Sequence, residues 1–220
     1  MNGTQPARVL VVGAGGHARV CIEALTDAGH DVVGCVSRDG AGVAGLPCRV
    51  LGSEADLEAL AEQAGVRHVF VAVGDNAARE RISDRCRAAG LQLVNAVSRF
   101  AMVSPAAELG VGVAVLAGAV VNPSAIVADG AIVNTRASID HDVYVGPFAH
   151  VAVGVSLAGG VTVGERALLG VGACVVPLVR IGADAVVGAG AAVVADVAAG
   201  TTVVGVPARE RGARSGRGGG

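Results

Sequence analysis

Residues 137–154, ASIDHDVYVGPFAHVAVG, read as neither a helix nor an ordinary strand. Ile139, Val145 and Val151 stand six residues apart, and Ala137, Val143 and Ala149 each precede one of them by two. A helix buries every third or fourth residue and a strand every second. A period of six requires a chain that turns a corner after each very short strand. Three such units close an 18-residue triangular coil, which is the signature of a hexapeptide β-helix. The stretch also holds two of the chain's five histidines, His141 between two aspartates and His150. Neither takes the aliphatic or the small-residue position, so both are expected to face outward from the coil.

The pattern extends in both directions. An aliphatic residue recurs at every sixth position from Val103 to Val193 without a skip, 16 positions in all, and Ala or Val follows four residues after each, as at Ala107, Ala119 and Ala131. These repeats predict about five coils stacked at the ~4.8 Å spacing of neighbouring strands. Helices of this kind are left-handed, an exception to the right-handed crossover rule. The composition agrees. Of 220 residues 34 are Gly, only three are Phe, one is Tyr and none is Trp, so the core must be made of Val, Ala and Leu on a regularly stacked backbone.

Before Phe100 the periodicity is different. RVLVVGAG, HDVVGCVS, RHVFVAVG and LQLVNAV read as strands, and HARVCIEALTDAG, SEADLEALAEQAG and DNAARERISDRCRAAG as helices between them. Ser53 is placed to cap the second helix. Strict alternation argues for a small parallel sheet of α/β type. The organisation expected is a Rossmann-like domain over 1–98, a left-handed parallel β-helix over 99–206 and a disordered Gly/Arg-rich tail over 207–220.

GAGGHA, residues 13–18, lies between the first strand and the first helix, where a turn cradles phosphate. As a dinucleotide fingerprint it reads G-x-G-x-x-A, and Ser37 with Arg38 at the end of the second strand offers a pair for a 2′-phosphate. The region is too short for the second mononucleotide-binding half of a redox domain. A net charge of −2 gives no reason to expect a nucleic-acid or acidic-membrane partner. Five scattered cysteines without a C-x-x-C fit reduced thiols and a cytoplasmic protein. Two outward histidines fall short of a three-histidine zinc site, so no metal is expected.

Gly159 and Gly160 stand one coil above His141, leaving a niche beside the imidazole, and Asp142 is placed to hold the ring and raise its basicity. The flat outward faces suit packing of three prisms into a homotrimer with sites between subunits.

The six-residue repeat, NTRASIDHDVYVGPFAHVAVG, LLGVGACVVP and VVGVPAR resemble the hexapeptide-repeat acyltransferases. With VVGAGGHARV, VFVAVGDNAARERI and AMVSPAAELG, the chain is similar to bacterial sugar acetyltransferases of the bacillosamine and sialic-acid O-acetyltransferase type, nearly to residue 209. The resemblance implies acetyl-CoA as co-substrate and a nucleotide-linked or free amino sugar as acceptor. It implies His141 as general base tuned by Asp142, His150 against the acetyl and pantetheine end, and Gly159, Val171 and Ala189 lining the cofactor groove. Gly15, Gly16, His17 and Gly74 correspond to sugar-nucleotide contacts. Ser37 and Arg38 stand where the family often has an aspartate pair that contacts uridine, and Asp142 where it more often has Glu. O-acetylation of a sugar hydroxyl and a non-catalytic sugar-nucleotide-binding role are the alternatives left open.

Overall fold

A computed structural model describes residues 6–211. The N-terminal part is one parallel sheet of β1 (Arg8–Val12), β2 (Asp31–Ser37), β3 (Val50–Ser53), β4 (His68–Val71) and β5 (Gln92–Leu93), in the order β3-β2-β1-β4-β5. Four of the five residues of β1 are buried, as a parallel strand covered on both faces requires. Helix α1 (Gly16–Asp27) packs Ala18, Cys21 and Leu25 against Val9, Val11 and Phe70 on one face. Helices α2 (Leu57–Gln63) and α3 (Asn76–Ala88) pack Leu57, Ala61 and Ile82 against Leu10, Val12 and Val69 on the other. Ser53 caps as expected, accepting from the Ala55 N–H at 3.1 Å, but the first turn is 3-10 and α2 proper begins at Leu57.

Two features differ from the sequence reading. Strand β3 is a fifth strand, a short half-buried edge without a hydrophobic period to announce it. LQLVNAV is two strands and not one. Gln92–Leu93 closes the first sheet, whereas Ala96–Val97 pairs with Ala114–Val115 and begins the β-helix one rung before Val103. Asn95 makes the change of sheet: its amide donates to the Gly110 carbonyl at 2.8 Å and accepts from the Val113 N–H at 3.0 Å, tying the turn to the first coil.

From there the chain winds as a left-handed parallel β-helix. Residues 18 apart pair in parallel, as in Val120↔Ser138, Ser138↔Ser156 and Ser156↔Cys174. Aliphatic positions from Val115 to Val193 and small positions from Ala107 to Ala191 are at most 5% exposed, so both series fill the prism. Every sixth residue from 112 to 190 has positive φ, half of them Gly and half not. These are the corners, and Asp142, with φ 59°, occupies one of them. Asp tolerates that left-handed conformation better than most residues. The six-residue register ends at Val193: Val187 pairs with Val203, 16 residues on. Residues 207–211, assigned to the tail from sequence, continue the fold, with Arg209–Glu210 antiparallel to Thr202–Val204. The rest of the tail, 212–220, lies outside the described residues.

The three faces of the prism are unequal. The face of Ala114–Val115, Ile132–Val133 and His150–Val151 is covered by the N-terminal unit, and Ala114 and Ile132 share a core with α1 and Phe70. Arg79 of α3 locks the junction. It is 1% exposed, and its guanidinium donates to the carbonyls of Gly130 (2.7 Å), Phe148 (2.7 Å) and Val73 (2.9 Å) and to Asn76 Oδ1 (2.9 Å). Asn76 in turn donates to the Arg166 carbonyl at 2.8 Å.

Candidate functional site

The turn after β1 carries the first group of expected residues. Gly13 has φ 120°, and a Cβ there would lie 2.5 Å from the Ala72 carbonyl oxygen, so only glycine fits. No atom lies within 4 Å of where a Cβ would be on Gly15, Gly16 or Gly74, which leaves the backbone open to a ligand. Gly15, Gly16, His17, Ser37, Arg38 and Gly74 line one cleft of about 590 Å³. The structure therefore gathers all six residues expected at the substrate site. The cleft also takes Arg81 and Arg85 from α3 and Glu54 from the turn before α2, which the sequence reading missed. For the two arginines the signal was present in the run RERISDRCR, whose first turns follow the glycine of strand β4's loop.

His150 faces out of its coil as expected, but into the domain junction. Its ring lies 6.3 Å from that of His17, and its Nε2 is 3.0 Å from Asn134 Nδ2. His17 Nε2 lies 3.3 Å from Cys21 Sγ. Burial, and then the charge of Arg79, pushes both imidazoles down to about 4, so both are neutral hydrogen-bonding groups at neutral pH.

The second group is at a corner. His141 Nδ1 is 2.8 Å from Asp142 Oδ2, and both side chains are largely exposed. Asp140 accepts from the His141 backbone N–H at 2.8 Å and from Asn122 Nδ2 at 3.1 Å. The hydrogen bond to Asp142 and then the charge of Asp140 raise His141 above the ordinary imidazole value. A proton shared with Asp142 on Nδ1 leaves Nε2 free to accept another. Gly159 lies over this ring: a Cβ on it would stand 2.6 Å from Cε1 and 2.7 Å from Nε2 of His141. The niche expected from sequence is thus a space that any side chain at 159 would fill.

Val171 and Ala189 form a third group. They stack at a different corner, the Gly190 N–H donating to the Val171 carbonyl at 2.8 Å, and Val171 is 56% exposed. Within one chain the three groups remain apart. The cleft sits over one face, and His141 occupies the corner between the other two faces. Among the described residues no cluster of three or more His, Cys, Asp or Glu could hold a metal ion.

Residues 8–86 match the model of the PglD N-terminal domain. PerB from Caulobacter crescentus, solved with CoA and GDP-perosamine, is 45% identical over 93% of this chain and 97% of its own, with a TM-score of 0.88. Its extent and identity decide the family. The chain is a hexapeptide-repeat sugar acetyltransferase. A further structure of the perosamine N-acetyltransferase with Asn in place of a histidine, in complex with the same two compounds, is 44% identical over 93% of this chain and 97% of its own, with a TM-score of 0.89. The acetyltransferase domain of PglB from Neisseria gonorrhoeae, solved with acetyl coenzyme A, is 35% identical over 94% of this chain and all of its own, with a TM-score of 0.85. A search of curated protein sequences gives no match. As a member of this family the enzyme transfers acetyl groups from acetyl-CoA to an amino-sugar amine. None of its helices is long and apolar enough to cross a membrane, among the described residues.

Proposed function

We propose that this enzyme acetylates the amine of a nucleoside diphosphate-linked amino sugar, with His141 as general base at a seam between subunits of a homotrimer. The observation that carries the reading is the joint placement of His141, Asp142 and Gly159: a basic, exposed imidazole with a free Nε2 beside a space kept empty by glycine. The relative PerB was solved with CoA and GDP-perosamine, and a histidine is the residue replaced in two of its variant structures.

An acetyl thioester is already activated, so the protein has three tasks: to hold the reactants together, remove a proton and stabilise the oxyanion. The sugar amine attacks the thioester carbonyl carbon while His141 Nε2 accepts the amine proton. The tetrahedral intermediate collapses, the carbon–sulfur bond breaks, and the thiolate of CoA leaves and is protonated. Asp142 holds the imidazolium that forms. In this reading Gly159, Val171 and Ala189 border the CoA groove, and His150 meets its acetyl end. Gly15, Gly16, His17 and Gly74 take the sugar nucleotide, with the amides at the start of α1 and the guanidinium of Arg81 facing its diphosphate.

The nucleotide cleft lies over one face of the prism and the imidazole at the corner between the other two, which supports a site completed by a second copy. Cyclic closure of three prisms supplies it. Free thiols at Cys21, Cys35, Cys48, Cys86 and Cys174 accord with a reducing cytoplasm.

The test is CoA release from acetyl-CoA with nucleotide-linked amino sugars, their hydroxyl counterparts and free amino sugars. We expect turnover with nucleotide-linked amines and a loss of about 10²–10⁴-fold in kcat for His141→Ala with CoA still bound. Near-normal turnover in that variant would remove His141 from the chemistry.

A further inference from the structure

The end of the cleft beyond the glycine turn holds a pair of side chains that acetyl transfer does not use. Ser37 and Ser53 are register partners on the parallel neighbours β2 and β3. Arg38 and Glu54 are the residues that immediately follow these partners, just beyond the paired ends of the two strands. Both backbones are pinned. The Ser53 hydroxyl donates to the Arg38 carbonyl at 3.2 Å, and Arg85 donates to the carbonyls of Glu54 at 3.0 Å and Ala55 at 3.1 Å. Both residues line the cleft, yet no ion pair joins them to each other or to any other described residue. Asp39, the neighbouring acid, is already occupied: it accepts from the Ser37 hydroxyl at 3.2 Å and the Ala41 N–H at 3.1 Å.

In a βαβ nucleotide site the diphosphate lies on the first turn and the helix N-terminus, and the nucleoside runs toward the carboxyl end of the second strand. Arg38 and Glu54 line the cleft at that end, within the stretch the nucleoside would occupy. A guanidinium fork seeks two adjacent acceptors, and a carboxylate seeks two parallel donors. Guanine has both, O6 with N7 on one edge and N1–H with the N2 amino group beside it. Uracil and thymine present one N–H between two carbonyls, so a carboxylate facing that edge would meet oxygen. Adenine pairs each acceptor with a donor and matches neither group fully. We infer that Arg38 and Glu54 read guanine, and that the acceptor is a guanosine diphosphate-linked amino sugar. This rests on the nucleotide-sugar reading of the cleft.

Two measurements test it. Calorimetric binding of GDP, UDP, dTDP and ADP to the wild type reads the base without any acetyl transfer. GDP is expected to bind about 10- to 100-fold more tightly than UDP, and Arg38→Ala or Glu54→Gln should each remove most of that margin while leaving UDP affinity and the circular dichroism spectrum unchanged. Steady-state turnover of one amino sugar on each nucleotide should then show the two variants raising KM for the GDP form, with kcat retained. Equal binding of GDP and UDP by the wild type would overturn the assignment, as would variants that weaken both nucleotides alike. A GDP preference in binding combined with no turnover of any nucleotide-linked amine leaves the guanine reading standing and sinks the acceptor reading instead.

Discussion

His141 is useful because its neighbours decide which of its nitrogens is free. Asp142 accepts a hydrogen bond from Nδ1–H, so Nε2 is the nitrogen left to act as the proposed base, and the carboxylate raises the basicity of the ring. The active form is the neutral imidazole, and its pKa is raised, so activity should fall as pH drops through that raised value. Asp142→Asn removes the charge that raises it. We expect the acid limb of the kcat/KM profile to move to lower pH and the plateau to fall, because the weaker base drives proton transfer less well. An unmoved limb would show that another group titrates there. His17 and His150, held near 4, should leave no limb of their own above pH 5 or so. Gly159 offers a cleaner separation of site from scaffold. Gly159→Ala puts a methyl group against an exposed ring that can swing aside, so folding is barely affected while the imidazole leaves its place. A loss of about 10²-fold in kcat with Tm within about 2 °C of the wild type is expected, read by turnover and thermal melting together.

At the scale of elements, the contact that fixes the cleft relative to the prism is α3 on the face of His150. Arg79 makes it with a buried charge that has no carboxylate partner, only carbonyls and an amide. Burial lowers its pKa to about 10, and it still carries its charge at neutral pH. Arg79→Met would leave the carbonyls of Gly130, Phe148 and Val73 buried without their donor. The expected cost is about 3–5 kcal/mol, measured by urea denaturation, with the N-terminal unit loosening before the β-helix. A single undisturbed transition would show that the junction is held by apolar contacts alone. The same arginine explains a difference from the sequence reading. His150 was expected outside the coil and is, but the face it stands on is covered, and nothing in a six-residue period says which of three faces a preceding domain will choose.

For the whole molecule the prediction concerns where one site ends and the next begins. If His141 of one subunit serves the cleft of another, two inactive variants should rescue each other. His141→Ala lacks the base, and Gly16→Glu puts a carboxylate into the phosphate cleft. Mixed and reassembled at equal amounts, random trimers would carry both intact halves at about a quarter of their sites. Recovery near that fraction supports the shared site, whereas no recovery above either variant alone places the whole site within one chain.

Much of this was legible in the primary structure, and for a physical reason. A β-helix writes its geometry at a fixed interval, since every coil repeats the same inward positions and corners, so the faces, the outward turn of His141 and the empty place at Gly159 follow from counting. The glycine turn after β1 is equally local, because Gly13 has to pass the Ala72 carbonyl within a single loop. What counting could not reach are the contacts made between distant segments. Glu54 and Arg38 line the same cleft because β3, an edge strand with no period of its own, pairs with β2. Arg81 and Arg85 enter the cleft because α3 packs where it does, and Asn95 turns the chain from one sheet into another by bonding to Gly110 and Val113. Local spacing determines a repeating element in advance; the place where two different elements come to rest against each other is decided only when both have folded.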